Sequence, residues 1–370
     1  MNKILFVANV AKEHILKFHI PSIKKFKDEG WTVDVACAGD EAIPFCDHQY
    51  HTSWKRNPFS LATIKGIKEL REIINKNGYD IIYCHTPVGG AVARMASVSA
   101  RKKGTRVVYF SHGFHFYKGA PLVNWVVYYP MEKLFARYTD VIITINQEDY
   151  SNAKKKLKCK EVYLLDGMGV DICSFRNVDK KTERSRLRKE LNIPDDAWVM
   201  IYLAELIPNK NQKMLLEALK EVLVEYPFTY LVLAGIDHNN GKTQKYARDI
   251  GVEKNVRFLG WRSDKEALYA LADICTASSI REGFGLNLVE ALASGIPVVA
   301  TRNRGHETII SNGRNGFLVE VGQSKTMAEL IIHTLKEQPI KESSFKELEK
   351  YSEEIICERI IEYVSLQKEK

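Results

Sequence analysis

Residues 282–290 read EGFGLNLVE, two glutamates separated by seven residues across a glycine-rich turn that leads into a short apolar helix. Gly283 and Gly285 let the backbone turn tightly and expose its amides. A helix starting near Leu286 directs unpaired N–H groups and its positive dipole end at the same space. The stretch Gly283, Phe284, Gly285, Leu286 therefore reads as a cradle for a phosphate. Glu290 falls roughly one helical turn further on, where its carboxylate can accept hydrogen bonds from the paired hydroxyls of a sugar; Glu282 sits on the turn, beside whatever the phosphate carries. Both placements suit a nucleotide-activated sugar. The plain alternative is a surface glutamate before a turn and another on an exposed helix face.

Lys210 offers the matching cation. In LAELIPNKNQKMLLEAL a strand ends near Leu206, a Pro-Asn turn follows and Lys210 begins a helix, so its ammonium can meet a diphosphate leaving group with the helix dipole behind it. A solvated first-turn lysine is the alternative. A third constellation, SHGFHFYKGAPLVNWVVYYPMEKLFARYTD at 111–140, puts His112 and Gly113 at a strand end, with His115 and Lys118 close behind. Its rings and cations interleave (Phe114, Phe116, Tyr117, Lys118, Trp125, Tyr128, Tyr129, Lys133), a pattern suited to a lipid headgroup boundary. The competing reading places Trp125-Val126-Val127 in a core. His85, in YCHTPVGGA, ends another strand within reach of an acceptor, whereas His19, on an apolar helix face, reads as a satisfied core histidine.

The elements that must position these residues alternate between strand and helix almost without interruption. Strands are predicted at ILFVANV, WTVDVACAG, YDIIYCHT, TRVVYFSHG, DVIITIN and EVYLLDG, which makes a doubly wound sheet. A second series follows at WVMIYLAEL, TYLVLAGI, NVRFLGW, DICTASS, PVVAT and GFLVEV. The glutamates thus lie at the carboxyl end of a strand, where open parallel sheets bind ligands. The predicted domains are 1–170 and 171–344, with a helical, amphipathic last segment from about 345 to 370.

Asp273 to Val319, with GFGLNLVEALASGIPVVAT and NGFLV, resembles the nucleotide-sugar half of a family 4 retaining glycosyltransferase, and GVDICSF matches the family's boundary motif through Asp171 and Phe175. The HGFHFYKG string resembles bacterial enzymes of capsule, exopolysaccharide and lipid-linked oligosaccharide assembly. The resemblance implies an α/β fold of the GT-B type: two Rossmann-like doubly wound parallel-sheet domains facing across a crevice, with the C-terminal helix crossing back to the acceptor-binding first domain. It further implies catalytic roles for Glu282, His112 and Lys210, and nucleotide-sugar binding by Lys210, Gly283, Phe284, Gly285, Leu286 and Glu290. His85, His115 and Lys118 are assigned to the acceptor. A UDP-sugar donor, a saccharide or lipid-linked acceptor and retention at the anomeric carbon complete the expectation. Many members carry Arg where this chain has Glu205, so the usual Arg/Lys phosphate clamp is broken here. A nucleotide-sugar epimerase of the same fold, or an inactive nucleotide-sugar-binding scaffold, are the alternatives.

Composition narrows the rest. A chain of 370 residues, 45% of them hydrophobic, is long enough for two cored domains. The net charge of +8 is confined to one half: residues 1–180 hold 27 Lys and Arg against 18 Asp and Glu, the remainder 27 against 28. That surplus points to an anionic membrane face or a phosphate-bearing acceptor, although Lys154-Lys155-Lys156 reads equally as a solvated face. No nucleic-acid module is recognisable. Seven widely spaced cysteines without a CxxC pair read as reduced core residues of a cytoplasmic protein, peripheral on the inner membrane face if the basic half binds lipid. MNKILFVANV reads as a first strand rather than a signal peptide. ANVAKE lacks the G-x-G-x-x-G of nicotinamide enzymes. Without a DxD pair or zinc-type His/Cys spacing, neither a metal nor another cofactor is expected.

Overall fold

Strands covered on both faces need apolar side chains at every position rather than alternate ones. β1 (Lys3–Val10), β4 (Ile81–His85) and β5 (Arg106–Ser111) meet that need over their central residues, which are buried without interruption. The computed structural model describes residues 2–54, 60–337 and 347–365, and the chain divides into two units, 1–169 with 353–370 and 170–352. In the first unit, these strands join β2 (Thr32–Ala38), β3 (His48–His51), β6 (Val141–Thr144) and β7 (Glu161–Leu164) in one parallel sheet of order β3-β2-β1-β4-β5-β6-β7. The second unit repeats the plan with β8 (Trp198–Leu203), β9 (Thr229–Ala234), β10 (Val256–Gly260), β11 (Ile274–Ala277), β12 (Val298–Thr301) and β13 (Gly316–Val319), ordered β10-β9-β8-β11-β12-β13. Strand order reverses between β1 and β4, and again between β8 and β11. Each unit is a doubly wound, Rossmann-like layer structure.

β3 is a strand that the sequence does not announce. HQYH is short and polar, and it pairs with β2 at the sheet edge, with His48 opposite Asp34. Buried Asp34 accepts from Tyr79 Oη at 2.5 Å and lies 3.1 Å from His48 Nδ1. Within the predicted terminal segment, the described residues form a 3-10 turn at Glu349–Tyr351 and then a helix from Glu353 to Ser365. The predicted stretches 345–346 and 366–370 lie outside the described residues. This helix belongs to the first unit, packing on the helix Ile20–Asp28. Ser22 Oγ lies 3.6 Å from Cys357 Sγ, Tyr363 stacks on Tyr163 at 4.4 Å, and Arg359 pairs with Asp166. Among the cysteines, Cys173 is exposed rather than in a core.

One buried ion pair fixes the helix Leu122–Phe135 to the first sheet. Arg94, fully buried, donates Nη1 to Glu132 Oε2 at 2.8 Å and Nη2 to Oε1 at 3.3 Å, while Nε donates to the Gly90 carbonyl at 2.9 Å. Its guanidinium lies 4.0 Å from the Tyr109 ring centroid, and Tyr109 Oη donates to the same carboxylate at 3.3 Å. Gly90 leaves room for this: a Cβ there would stand 2.6 Å from the Tyr109 ring. Removing one partner strands the other charge without water. Glu132→Ala should therefore lose about 3–5 kcal/mol in urea unfolding of the full chain. Arg94→Met combined with Glu132→Leu should lose clearly less than the two single changes added together.

Candidate active site

In the second unit, the loops leaving β8 and β11 diverge across the point where the strand order reverses. The first loop closes in a 3-10 turn, Pro208–Lys210, followed by left-handed Asn211 at φ 51° and then the helix Gln212–Glu225. Lys210 thus precedes the helix rather than beginning it. Backbone and side-chain bonds tie this turn to the neighbouring loop: Ile280 N donates to the Asn209 carbonyl at 2.8 Å, Asn209 Nδ2 to the Arg281 carbonyl at 2.9 Å, and Ser278 Oγ to the Lys210 carbonyl at 2.8 Å.

The two charges predicted on these loops meet. Lys210 Nζ lies 2.5 Å from Glu282 Oε1, and Ser279 Oγ donates to the same oxygen at 2.6 Å. Ser279 is itself 2.6 Å from Tyr202 Oη on β8. Both partners of the ion pair are only partly exposed, so the cation is held in place before any ligand arrives. Beside it stands the helix Leu286–Ala293, capped by no side chain. The amides of Leu288 and Val289 donate back to the Gly285 carbonyl, while those of Leu286 and Asn287 precede any intrahelical acceptor. A fixed ammonium next to a helix N-terminus is suited to an anion such as a diphosphate.

Gly285 also meets a packing demand that the sequence does not announce. Neither Gly283 nor Gly285 has a positive φ. A Cβ on Gly285 would meet His306, Ile309 and Leu288 at 3.2–3.3 Å, and one on Gly305 would stand 2.8 Å from the Glu282 Cβ. Phe284 is buried against Tyr351, with ring centroids 5.7 Å apart.

Glu290 is not on an open helix face. Its carboxylate receives Lys265 Nζ at 2.7 Å and Tyr269 Oη at 3.2 Å, and the residue is 7% exposed. Burial, with the Glu290 charge beside it, pushes the Tyr269 phenol well up, so it stays a donor. Lys265 and Tyr269 escaped the sequence reading. Their signal was spacing: four residues apart, they share one face of the helix Lys265–Leu271. His306, bonded through Nδ1 to the Thr301 carbonyl at 2.7 Å, was missed as well. Burial pulls its pKa down while the Glu282 charge opposes, which places it near the ion pair. Glu205 is exposed just beyond β8, and its carbonyl accepts from Ile207 N at 3.1 Å and from Gln212 Nε2 at 2.9 Å.

In the first unit the predicted residues scatter. His115 is half-buried and stacks on Tyr128 at 4.4 Å, and Lys118 is exposed. His85 is fully buried, so it presents no surface to an acceptor. His112 stands beside it with Nε2 buried, and the two rings share a cluster with His14 and His19. His19 is not a satisfied core histidine: neither ring nitrogen has a hydrogen-bond partner. Burial depresses all four, His14 to about 4. They are neutral rings at physiological pH. Trp125 is partly buried while Val126 beside it is exposed, so the helix Leu122–Phe135 is not a core helix throughout.

Comparison with known proteins gives the family. Residues 183–354 match the family model described as "Glycosyl transferases group 1", and residues 3–146 the one described as "Glycosyl transferase 4-like". A putative glycosyltransferase, EpsD of Bacillus subtilis, is 43% identical over 330 residues, 89% of this chain and 86% of that protein. The UDP-Gal:alpha-D-GlcNAc-diphosphoundecaprenol alpha-1,3-galactosyltransferase of Escherichia coli is 27% identical over 288 residues, 75% of this chain and 72% of its own. Among solved structures, Anabaena Alr3699/HepE in complex with UDP and glucose superimposes with a TM-score of 0.82 at 23% identity, covering 99% of this chain and 100% of that one. With both units matched and a relative this similar over nearly its whole length, the chain belongs to the glycosyltransferases of the group 1 and 4-like families and carries their GT-B fold.

Proposed function

We propose that the protein transfers a hexose or N-acetylhexosamine from a UDP-sugar to a lipid-linked saccharide, with retention, in the assembly of a bacterial surface or exported polysaccharide. The observation that carries the donor half is the Lys210–Glu282 pair set beside the N-terminus of the helix Leu286–Ala293. Lys210 and the first helical amides would stabilise the diphosphate as the glycosidic bond to it breaks, the moment at which its charge is greatest. Glu282 holds Lys210 in position and has a second oxygen with which to accept from a sugar hydroxyl. Glu290, fixed by Lys265 and Tyr269, would receive the ribose hydroxyls on its remaining lone pairs. Since no side chain identifies itself as a covalent nucleophile, retention rests on the family resemblance and on attack from the leaving-group face. His112, partly exposed with its Nε2 buried, is not drawn on for the donor half.

The acceptor half rests on a surface and on the chemistry that the Escherichia coli relative's name gives it, a diphosphoundecaprenol-linked sugar. Along the helix Leu122–Phe135, Trp125, Tyr128 and Tyr129 pack inward against the core, while Leu122, Val123 and Val126 stand 77%, 61% and 65% exposed. Exposed Lys118 and Lys133 flank them. Aliphatic side chains facing out between cations suit an anionic bilayer surface. Among the described residues no helix is long and apolar enough to cross a membrane.

Lys210→Ala should lower kcat about 10²–10³-fold, roughly 3–4 kcal/mol of transition-state stabilisation, in a transfer assay that follows released nucleotide diphosphate. A uridine diphosphate sugar should raise the melting temperature where guanosine and adenosine counterparts do not, and Glu290→Gln should remove the shift. Stabilisation without turnover against any lipid-linked acceptor would instead favour a nucleotide-sugar-binding scaffold. An inverted product anomer would overturn retention alone. The wild type should co-sediment with anionic vesicles at low salt, and Leu122→Asp with Val126→Asp should abolish this without moving the melting temperature. Equal sedimentation of the two proteins would remove the membrane reading.

A further inference from the structure

We propose that His14, His19, His85 and His112 together form a binding site for one divalent transition-metal ion of the zinc class inside the first unit. One ligand nitrogen from each ring lies within 4.8 Å of those of the other three. The rings surround a common point: centroids are 3.8 Å apart for His19 and His85, 4.5 Å for His14 and His112, 5.1 Å for His14 and His19, and 5.9 Å for His85 and His112. Four nitrogens bound at about 2.0–2.1 Å in a tetrahedron stand roughly 3.3 Å from one another, so small ring rotations convert the present arrangement into a coordination sphere.

The state of these nitrogens is hard to explain without a ligand. Both nitrogens of His19 and of His85, and the Nε2 atoms of His14 and His112, are buried and have no hydrogen-bond partner. His19 and His85 are 1% and 0% exposed. Four imidazoles in contact could pair donor to acceptor, yet they do not bond to one another. Each buried group left unsatisfied is unfavourable, and one ion would engage a nitrogen from every ring. An all-imidazole set selects zinc, nickel or copper over magnesium or calcium, which need oxygen ligands. Four protein ligands leave no open position, which marks a structural rather than a catalytic centre.

The place in the fold agrees. His14 lies on the π-helical turn Ala11–Ile15 after β1, His19 joins that segment to the helix Ile20–Asp28, His85 ends β4, and His112 follows β5. An ion there would tie together the loops at the reversal of strand order, where no backbone ladder can hold them. The site is independent of the sugar-transfer reading, whose residues all belong to the second unit on the donor side.

The test uses the untagged full-length chain, loaded with zinc or cobalt(II) and then dialysed against metal-free buffer. About one metal per chain by elemental analysis, together with the visible ligand-field band of tetrahedral cobalt(II), is the expected result. A strong chelator should lower the melting temperature by several degrees. His19→Gln and His85→Gln should each lose the bound metal and the cobalt band, whereas His48→Gln and His51→Gln, on exposed histidines, should keep both. If either cluster variant fails to fold, the wild-type cobalt spectrum decides by itself. Folded wild type that retains no metal and shows no such band overturns the proposal, as does metal retained equally by the two cluster variants.

Discussion

In a parallel sheet wound outward in two directions, the loops leaving the two central strands must part company, and the gap between them cannot be closed by backbone hydrogen bonds. This gap occurs twice in the chain, between β1 and β4 and between β8 and β11. Whatever occupies it must be supplied by side chains from sequence-distant loops. In the second unit that bridge is an ion pair, Lys210 to Glu282, reinforced by Ser278, Ser279 and Asn209. In the first it is four uncharged imidazoles. The two halves share an architecture and fill the same gap with different chemistries, one a partly exposed charged pair, the other neutral imidazoles of which His19 and His85 are buried and His14 and His112 partly exposed.

Charge is handled by burial depth. Arg94 and Glu132 are sealed against Tyr109, where the pair gains from a dry surrounding but could not respond to a ligand. Lys210 and Glu282 keep part of their surface, enough to leave the ammonium a free donor. The same residue types therefore serve anchoring in one unit and, on the proposed reading, recognition in the other, and the difference lies in access rather than in distance. Lys265, Tyr269 and Glu290 form an intermediate case, a carboxylate already oriented by two donors yet with lone pairs to spare.

The residues proposed for the donor side stood out in the sequence because they are nearly contiguous. EGFGLNLVE carries turn, helix start and both glutamates in nine residues, and strand-helix alternation around it fixed the fold class. The contacts of Glu290 were not legible, since Lys265 is brought to it only by packing of one helix beside another. β3 stayed hidden because an edge strand with polar side chains has no apolar run to betray it. The histidine cluster could not be read at all: its members are separated by 5, 66 and 27 positions, and only the sheet order brings them together. The packing limit on Gly285 was hidden for a related reason, as part of it is set by a side chain twenty-one residues away, His306.

The chain leaves the first unit at Gly169 and returns at Glu353, with Val170 bridged to Ser352 where it departs and comes back. During synthesis, the sheet of the first unit is finished long before its last helix exists. At about 5–20 residues per second, the ribosome needs on the order of ten seconds or more to make the intervening stretch. Through that interval the helix Ile20–Asp28 lacks the cover of Ile356, Cys357 and Ile360, side chains buried in the finished protein. The second unit, encoded without interruption, can close before the first has its last helix, although the first begins earlier in the chain.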